Sequence, residues 1–318
     1  MNRSRSGIYF FIWGALAIVT LFIIVITLQL NGKISTASES SAEDFPQGYK
    51  ITSPDIPNYL EFAGEKIPTD NFEVFERIER EFISNTYFHS ATVLALKRAT
   101  RWFPVIEPIL KKNNIPDDFK YLCVAESNMD NVVSPAGATG FWQFMKPAGE
   151  KYGLEINSLI DERYNVEKST EAACKYLKDS YDIFGNWILS AASYNMGSDG
   201  VVTQMERQKV KNYFNLVLNS ETSRFVSRIV SLKYILQNPE AYGFEIKAED
   251  KYNPLAYYEI KLDSSVSDFA DYAKSVGVNY FILKMYNPWL RDNYLDNKTK
   301  QVYLIKLPTE GSIEIIKD

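Results

Sequence analysis

The sequence predicts a mainly α-helical protein with an N-terminal transmembrane helix and a small C-terminal βααβ unit. Three observations carry this. A charge-free apolar run extends from Ile8 to Leu28, helical spacing of apolar residues extends from Phe72 to about Tyr242, and two strand-like segments, Tyr257–Leu262 and Val302–Leu307, flank two short helical stretches.

The apolar run comes first. About 20 apolar residues suffice to cross a bilayer as a helix, and Arg3 and Arg5 ahead of it hold that end in the cytoplasm. The rest of the chain is then expected on the outer side of the cytoplasmic membrane, as the ectodomain of a single-pass protein. Ser35-Thr36-Ala37 offers a cleavage-like site, but signal-peptide apolar cores usually run only about 7–15 residues. The uncleaved anchor is therefore the expectation. The segments are read as 1–30 anchor, 31–70 flexible linker rich in Ser, Thr, Pro and acids, 71–245 helical domain, and 250–318 the small unit.

Within the helical domain, amphipathic stretches cover Phe72–Ile83 and Thr92–Lys112, and Pro116-Asp117-Asp118 opens a helix that runs to Ser127. Further helices are expected from near Ser169 to Gly185, from Trp187 to near Gly197, and from about Thr222 to Leu236. In the C-terminal unit Phe269, Ala270 and Ala273 have helical spacing, and Tyr280–Tyr286 forms a second short helix before Asn287-Pro288.

Composition excludes several functions. With 35 basic and 40 acidic residues the net charge is −5, so there is no basic surface for nucleic acid. His89 is the only histidine, which rules out a multi-histidine metal site and leaves a Ser-His-Asp triad no other base. Cys123 and Cys174 are too few for a disulfide scaffold and are read as small apolar side chains in helices. No cofactor and no metal is expected. An aromatic fraction of 14% supplies core side chains and, in part, flat faces suited to sugar.

One residue draws attention chemically. Phe119, Leu122, Cys123 and Glu126 fall at i, i+3, i+4 and i+7 on a helix whose residues 121–125 are apolar throughout apart from the Tyr121 hydroxyl. A carboxylate at the end of such a face is costly when ionised, so its pKa rises and it stays protonated near neutrality, as a general acid must. The text that follows, SPAGATGFWQFM from Ser134 to Met145, places glycines where backbone can approach a ligand. Ser134 and Gln143 are polar groups able to orient a sugar, and Trp142 offers a stacking face. Tyr194-Asn195-Met196-Gly197 ends a later helix with another hydrogen-bonding pair.

Taken in order, Glu126-Ser127, SPAGATGFWQFM, Lys151-Tyr152-Gly153-Leu154, Asp161-Glu162-Arg163, Ser169-Thr170-Glu171-Ala172-Ala173 and SYNMG resemble the blocks of the lytic transglycosylase (SLT) family, in its membrane-bound murein transglycosylase D type, over residues 75–240. The resemblance implies a lysozyme-like α fold and cleavage of the MurNAc–GlcNAc β-1,4 bond of peptidoglycan with a 1,6-anhydro product. It gives Glu126 the catalytic role and Ser134, Gln143, Tyr194, Asn195 and Glu221 supporting ones. This chain departs from the family pattern in three places: the segment from Glu126 to Ser134 is one residue short, Phe225 stands where a Tyr is usual, and Met196 replaces a small residue. The C-terminal unit partly resembles a LysM module, through its helix, Gly277 and Asn287-Pro288-Trp289-Leu290. Two other functions remain in view: a goose-lysozyme-like hydrolase, and an inactive peptidoglycan-binding membrane protein.

Overall fold

The computed structural model describes residues 51–313. The expected anchor, 8–28, lies outside the described residues, as does the first half of the expected linker, 31–50. Among the described residues no helix is long and apolar enough to cross a membrane. From Pro54 onward the described residues form one compact unit.

Residues 54–70 correct the linker expectation. A two-residue hairpin, β1 (Glu61–Phe62) and β2 (Glu65–Lys66), turns at Ala63-Gly64, and Leu60, Phe62 and Ile67 beside it are fully buried in the main core. Apolar side chains spaced along a polar stretch are easily read as tether, but these three pack under the helices. The hairpin is also bound by charge. The Glu65 carboxylate accepts the backbone N–H groups of Trp187 and Ile188, at 2.6 and 3.2 Å, and so caps a helix far along the chain. The Lys233 ammonium, almost wholly buried, joins Glu61 to Asp118 at 3.1 and 2.8 Å.

The helical domain follows. Helices α1 (Phe72–Tyr87) and α2 (His89–Lys112) lead into a single 3-10 turn (Asp117–Phe119) and α3 (Lys120–Ser127). Short α4 (Lys146–Lys151) precedes α5 (Val166–Phe184), α6 (Trp187–Met196), α7 (Ser198–Gln208) and α8 (Ser220–Gln237). Asparagine supplies many of the starts: Asn71, Asn165, Asn186 and Asn219 each accept a backbone N–H from the first turn of their helix. Asn165 moves the start of α5 ahead of the expected Ser169, and α7 is a helix the spacing did not reveal. Helix α8 is the hub. Its buried residues include Phe225, Val226, Ile229, Val230 and Ile235 on several faces, and α1, α3 and α6 all pack against it.

The C-terminal unit has the expected order. Strand β3 (Tyr257–Leu262) pairs antiparallel with β4 (Tyr303–Pro308), with Ile260 opposite Ile305. Between them lie α9 (Phe269–Ser275) and α10 (Tyr280–Tyr286), capped by Asp268 and Asn279. Its core comprises Leu262, Phe269, Leu283, Leu290, Ile305 and Leu307, and one side chain from the helical domain, Ile160.

Candidate active site

Glu126 sits one residue from the end of α3, where Asn128 and Met129 both take left-handed backbone (φ 54° each) and turn the chain sharply. That turn is anchored from α2: the Arg98 guanidinium donates to the Asn128 carbonyl at 3.1 Å and pairs with Asp130 at 2.5 Å. Buried neighbours on α3 fix the helix against α8. The Glu126 side chain itself keeps partial access to water.

Burial pushes the Glu126 carboxyl up to about 8. The negative charge of Glu221 pushes the same way, and the Arg228 cation opposes both. Among the described residues no hydrogen bond reaches this carboxyl. It is thus a protonated acid at neutral pH with its oxygens free to meet a ligand. Arg228 is held back from it by Glu81, an almost fully buried carboxylate that also binds Arg224 at 2.6 Å.

The loop from Val132 to Phe144 borders this residue, held on one side by α3 and on the other by α6. The Ser127 hydroxyl donates to the Phe141 carbonyl at 2.7 Å, and the Tyr194 hydroxyl to the Trp142 carbonyl at 2.8 Å. Tyr194 packs edge-on against Phe144 and Tyr176. Its phenol is pushed well above its usual range by burial and then by the charge of Glu126, so it acts only as a neutral donor and acceptor.

Other expected residues have clear structural engagements. The Ser134 hydroxyl oxygen accepts the Ala138 N–H at 3.0 Å and shapes the loop tip. Gln143 takes left-handed backbone (φ 49°), and its side-chain nitrogen donates to Val132 and Gly140 carbonyls at 3.1 and 2.7 Å. Both of its N–H donors are therefore committed to the loop. The Asn195 side chain donates to Glu221 at 3.1 Å and accepts from the Thr222 hydroxyl at 2.7 Å, tying the end of α6 to the start of α8. Glu221 itself is exposed.

Two expectations are corrected. Trp142 is fully buried, with its indole N–H donating to the Thr170 hydroxyl at 2.8 Å, and it presents no face to a sugar. Gly140 makes its close approach to protein: a Cβ there would lie 2.0 Å from the Arg163 carbonyl oxygen. The acids beside the site in sequence are also engaged. Asp130 pairs with Arg98, Asp161 with Arg163, and Glu162 accepts the Glu155 N–H. The acid whose charge reaches Glu126 is Glu221. Outside the site, Cys123 and Cys174 are free and buried. His89 is exposed at the start of α2, with its ring near Tyr87 and Phe244. No metal-holding group of His, Cys, Asp and Glu is found among the described residues.

Comparison with known proteins shows what this chain is similar to. Residues 103–217 match the transglycosylase SLT domain, a span that contains Glu126, Ser134, Gln143, Tyr194 and Asn195 and ends just before Glu221. Residues 258–311 match the soluble lytic transglycosylase C-terminal LysM-like domain. The membrane-bound lytic murein transglycosylase D of Escherichia coli K12 is 27% identical over 313 residues, 92% of this chain and 68% of that protein. Two solved structures are similar at 20% identity. The 70 kDa soluble lytic transglycosylase SLT70 of Escherichia coli covers 50% of this chain with a TM-score of 0.38, and the lytic transglycosylase Slt of Pseudomonas aeruginosa covers 49% with 0.34. This chain spans about a quarter of each of them, 28% and 26%. The chain therefore carries a segment similar to the transglycosylase SLT domain, followed by one similar to the C-terminal LysM-like domain of soluble lytic transglycosylases.

Proposed function

We propose that the chain cleaves the β-1,4 bond between N-acetylmuramic acid and N-acetylglucosamine in peptidoglycan and leaves a 1,6-anhydro end. One observation carries the mechanism: a single carboxyl, Glu126, kept protonated at neutral pH in a partly water-accessible position with no hydrogen bond from the described residues. Glu126 donates its proton to the leaving glycosidic oxygen, and the muramic N-acetyl group of the substrate stabilises the cationic centre. The resulting carboxylate then takes the proton of the sugar's own C6 hydroxyl as that oxygen closes the anhydro ring. Acid and base are the same residue at successive moments, so no partner carboxylate is required. Tyr194, Ser134 and Gln143 shape the loop beside the glycan, and Asn195 holds Glu221 at its edge.

Glu221 supports a second reading. Its negative charge acts on Glu126, and a carboxylate across the bond can direct water for hydrolysis, as in a goose-type lysozyme. Digestion of purified sacculi followed by mass spectrometry decides between the two, because anhydro ends are one water lighter than hydrolysed ends. Glu126→Gln is expected to abolish product while leaving the circular dichroism spectrum unchanged. Retained activity removes Glu126 from the mechanism. The placement that fits this substrate is the outer side of the cytoplasmic membrane, held there by the apolar segment 8–28, and the Escherichia coli relative is named as membrane-bound. Fractionation of the expressed full chain tests it, with recovery in the soluble fraction as the contrary result.

A further inference from the structure

The C-terminal unit and the site loop never meet directly in the contacts described above, yet one short segment touches both. On the C-terminal side, the Asp161 N–H donates to the Trp289 carbonyl at 2.9 Å and the Arg291 N–H to the Leu159 carbonyl at 2.8 Å. Ile160 pairs with Leu290 as an isolated bridge and is 1% exposed inside the C-terminal core. The Arg291 guanidinium lies over the Tyr164 ring at 3.9 Å, and the Tyr303 hydroxyl donates to Glu155 at 3.0 Å. The receiving loop is stiffened from behind, where the Lys284 ammonium donates to the Leu290 and Asp292 carbonyls.

On the other side the same segment grips the site loop. Arg163 is fixed by Asp161, whose two oxygens accept its Nε–H at 2.9 Å and its terminal N–H at 2.7 Å. The remaining nitrogen donates to the Gly137 carbonyl at 3.2 Å and the Phe144 carbonyl at 3.1 Å, the two ends of the turn. Gly140, between them, rests on the Arg163 carbonyl so closely that no side chain fits. A planar guanidinium with its donors in a fixed fork is suited to this task, and a lysine ammonium cannot reproduce it.

We infer that the C-terminal unit is a brace for the active site: through Leu159–Tyr164 it sets Arg163, and Arg163 is the positioning residue for the loop that borders Glu126. The face of this unit that carries Trp289, Leu290 and Arg291 is occupied by the helical domain, so here a LysM-like fold serves as an internal support. The kinetic consequence rests on the function proposed above, whereas the mechanical coupling stands without it.

Deuterium exchange on the full chain, read by peptide, tests the coupling, and turnover of sacculi on the same samples tests the consequence. Arg163→Lys and Ile160→Ala are compared with Val201→Ala, which hollows the helical core on α7, away from the brace. Both brace variants are expected to speed exchange across residues 132–144 about tenfold more than Val201→Ala does, and to lower kcat about tenfold with KM nearly constant. Should Ile160→Ala fail to fold, Arg291→Gln, on an exposed side chain, is read in the same way. Loop exchange unchanged in the brace variants, or equalled by Val201→Ala, overturns the inference. A wild-type chain that releases no anhydro product counts against the proposed function alone, since exchange still decides the brace.

Discussion

Glu126→Gln is expected to make the protein more stable as it makes it inactive, and the gain should depend on pH. The native carboxyl titrates near 8 against an ordinary value of 4.5, so between those values the folded state binds a proton that the unfolded state has released. Stability of the wild type therefore falls as pH rises from 4.5 to about 8, and is flat outside that window. Glutamine is neutral throughout and escapes the loss. At 1.36 kcal/mol per pH unit the ceiling at pH 7 is about 3 kcal/mol, and water access to the half-open side chain reduces this to about 1.5 kcal/mol. For a protein of this size that is a rise in Tm of about 5 °C. Thermal unfolding of both proteins at pH 4.5, 7 and 8.5 provides the check. The variant should gain nothing at pH 4.5 and most at pH 8.5. A gain that does not vary with pH, or a loss at pH 7, refutes the claim that Glu126 is a desolvated acid.

Further outcomes follow from the same contacts. Glu221→Gln removes the charge that helps to hold Glu126 protonated, so the alkaline limb of the kcat/KM profile should move to lower pH; a limb that stays put or moves up contradicts the electrostatic account. Gly140→Ala forces a Cβ against the Arg163 carbonyl and into left-handed backbone, and should cost at least about 3 kcal/mol in denaturant unfolding. Trp142→Phe loses the buried bond to Thr170 and should cost about 1–2 kcal/mol of stability, with KM for sacculi unchanged. A many-fold rise in KM would show that the indole meets the glycan after all.

Periodicity was enough to place most helices and the βααβ order, because an apolar stripe of period 3.6 survives without any knowledge of its partner. Helix ends were harder. Asn165 caps α5 through its side chain and the Lys168 N–H, while the run of Ser, Thr and Glu just after it looks equally like a start. Glu126 was marked less by its place at the end of an apolar face, where an acid often only caps a loop or reaches solvent, than by the sequence blocks that follow it. Trp142 was not legible, since a tryptophan beside glycines reads as a binding surface until its indole is seen bonded to Thr170 inside the core. Ile160 and Gly140 were also opaque: their partners, Leu290 and Arg163, lie 130 and 23 positions further on, and no local pattern encodes such a meeting. Glu221 emerged through its charge, which sequence alone could not bring near Glu126.

The hairpin before the first helix also sets how this protein can be trimmed. A soluble version begun at the visible start of helicity, near Asn71, would discard Leu60, Phe62 and Ile67, each worth about 1.5–3 kcal/mol when buried. It would also strip the N-terminus of α6 of its carboxylate lid and leave Lys233 with one counter-charge where it had two. The shortest piece expected to behave as a native domain therefore starts upstream of residue 60, within what reads on paper as a dispensable stalk.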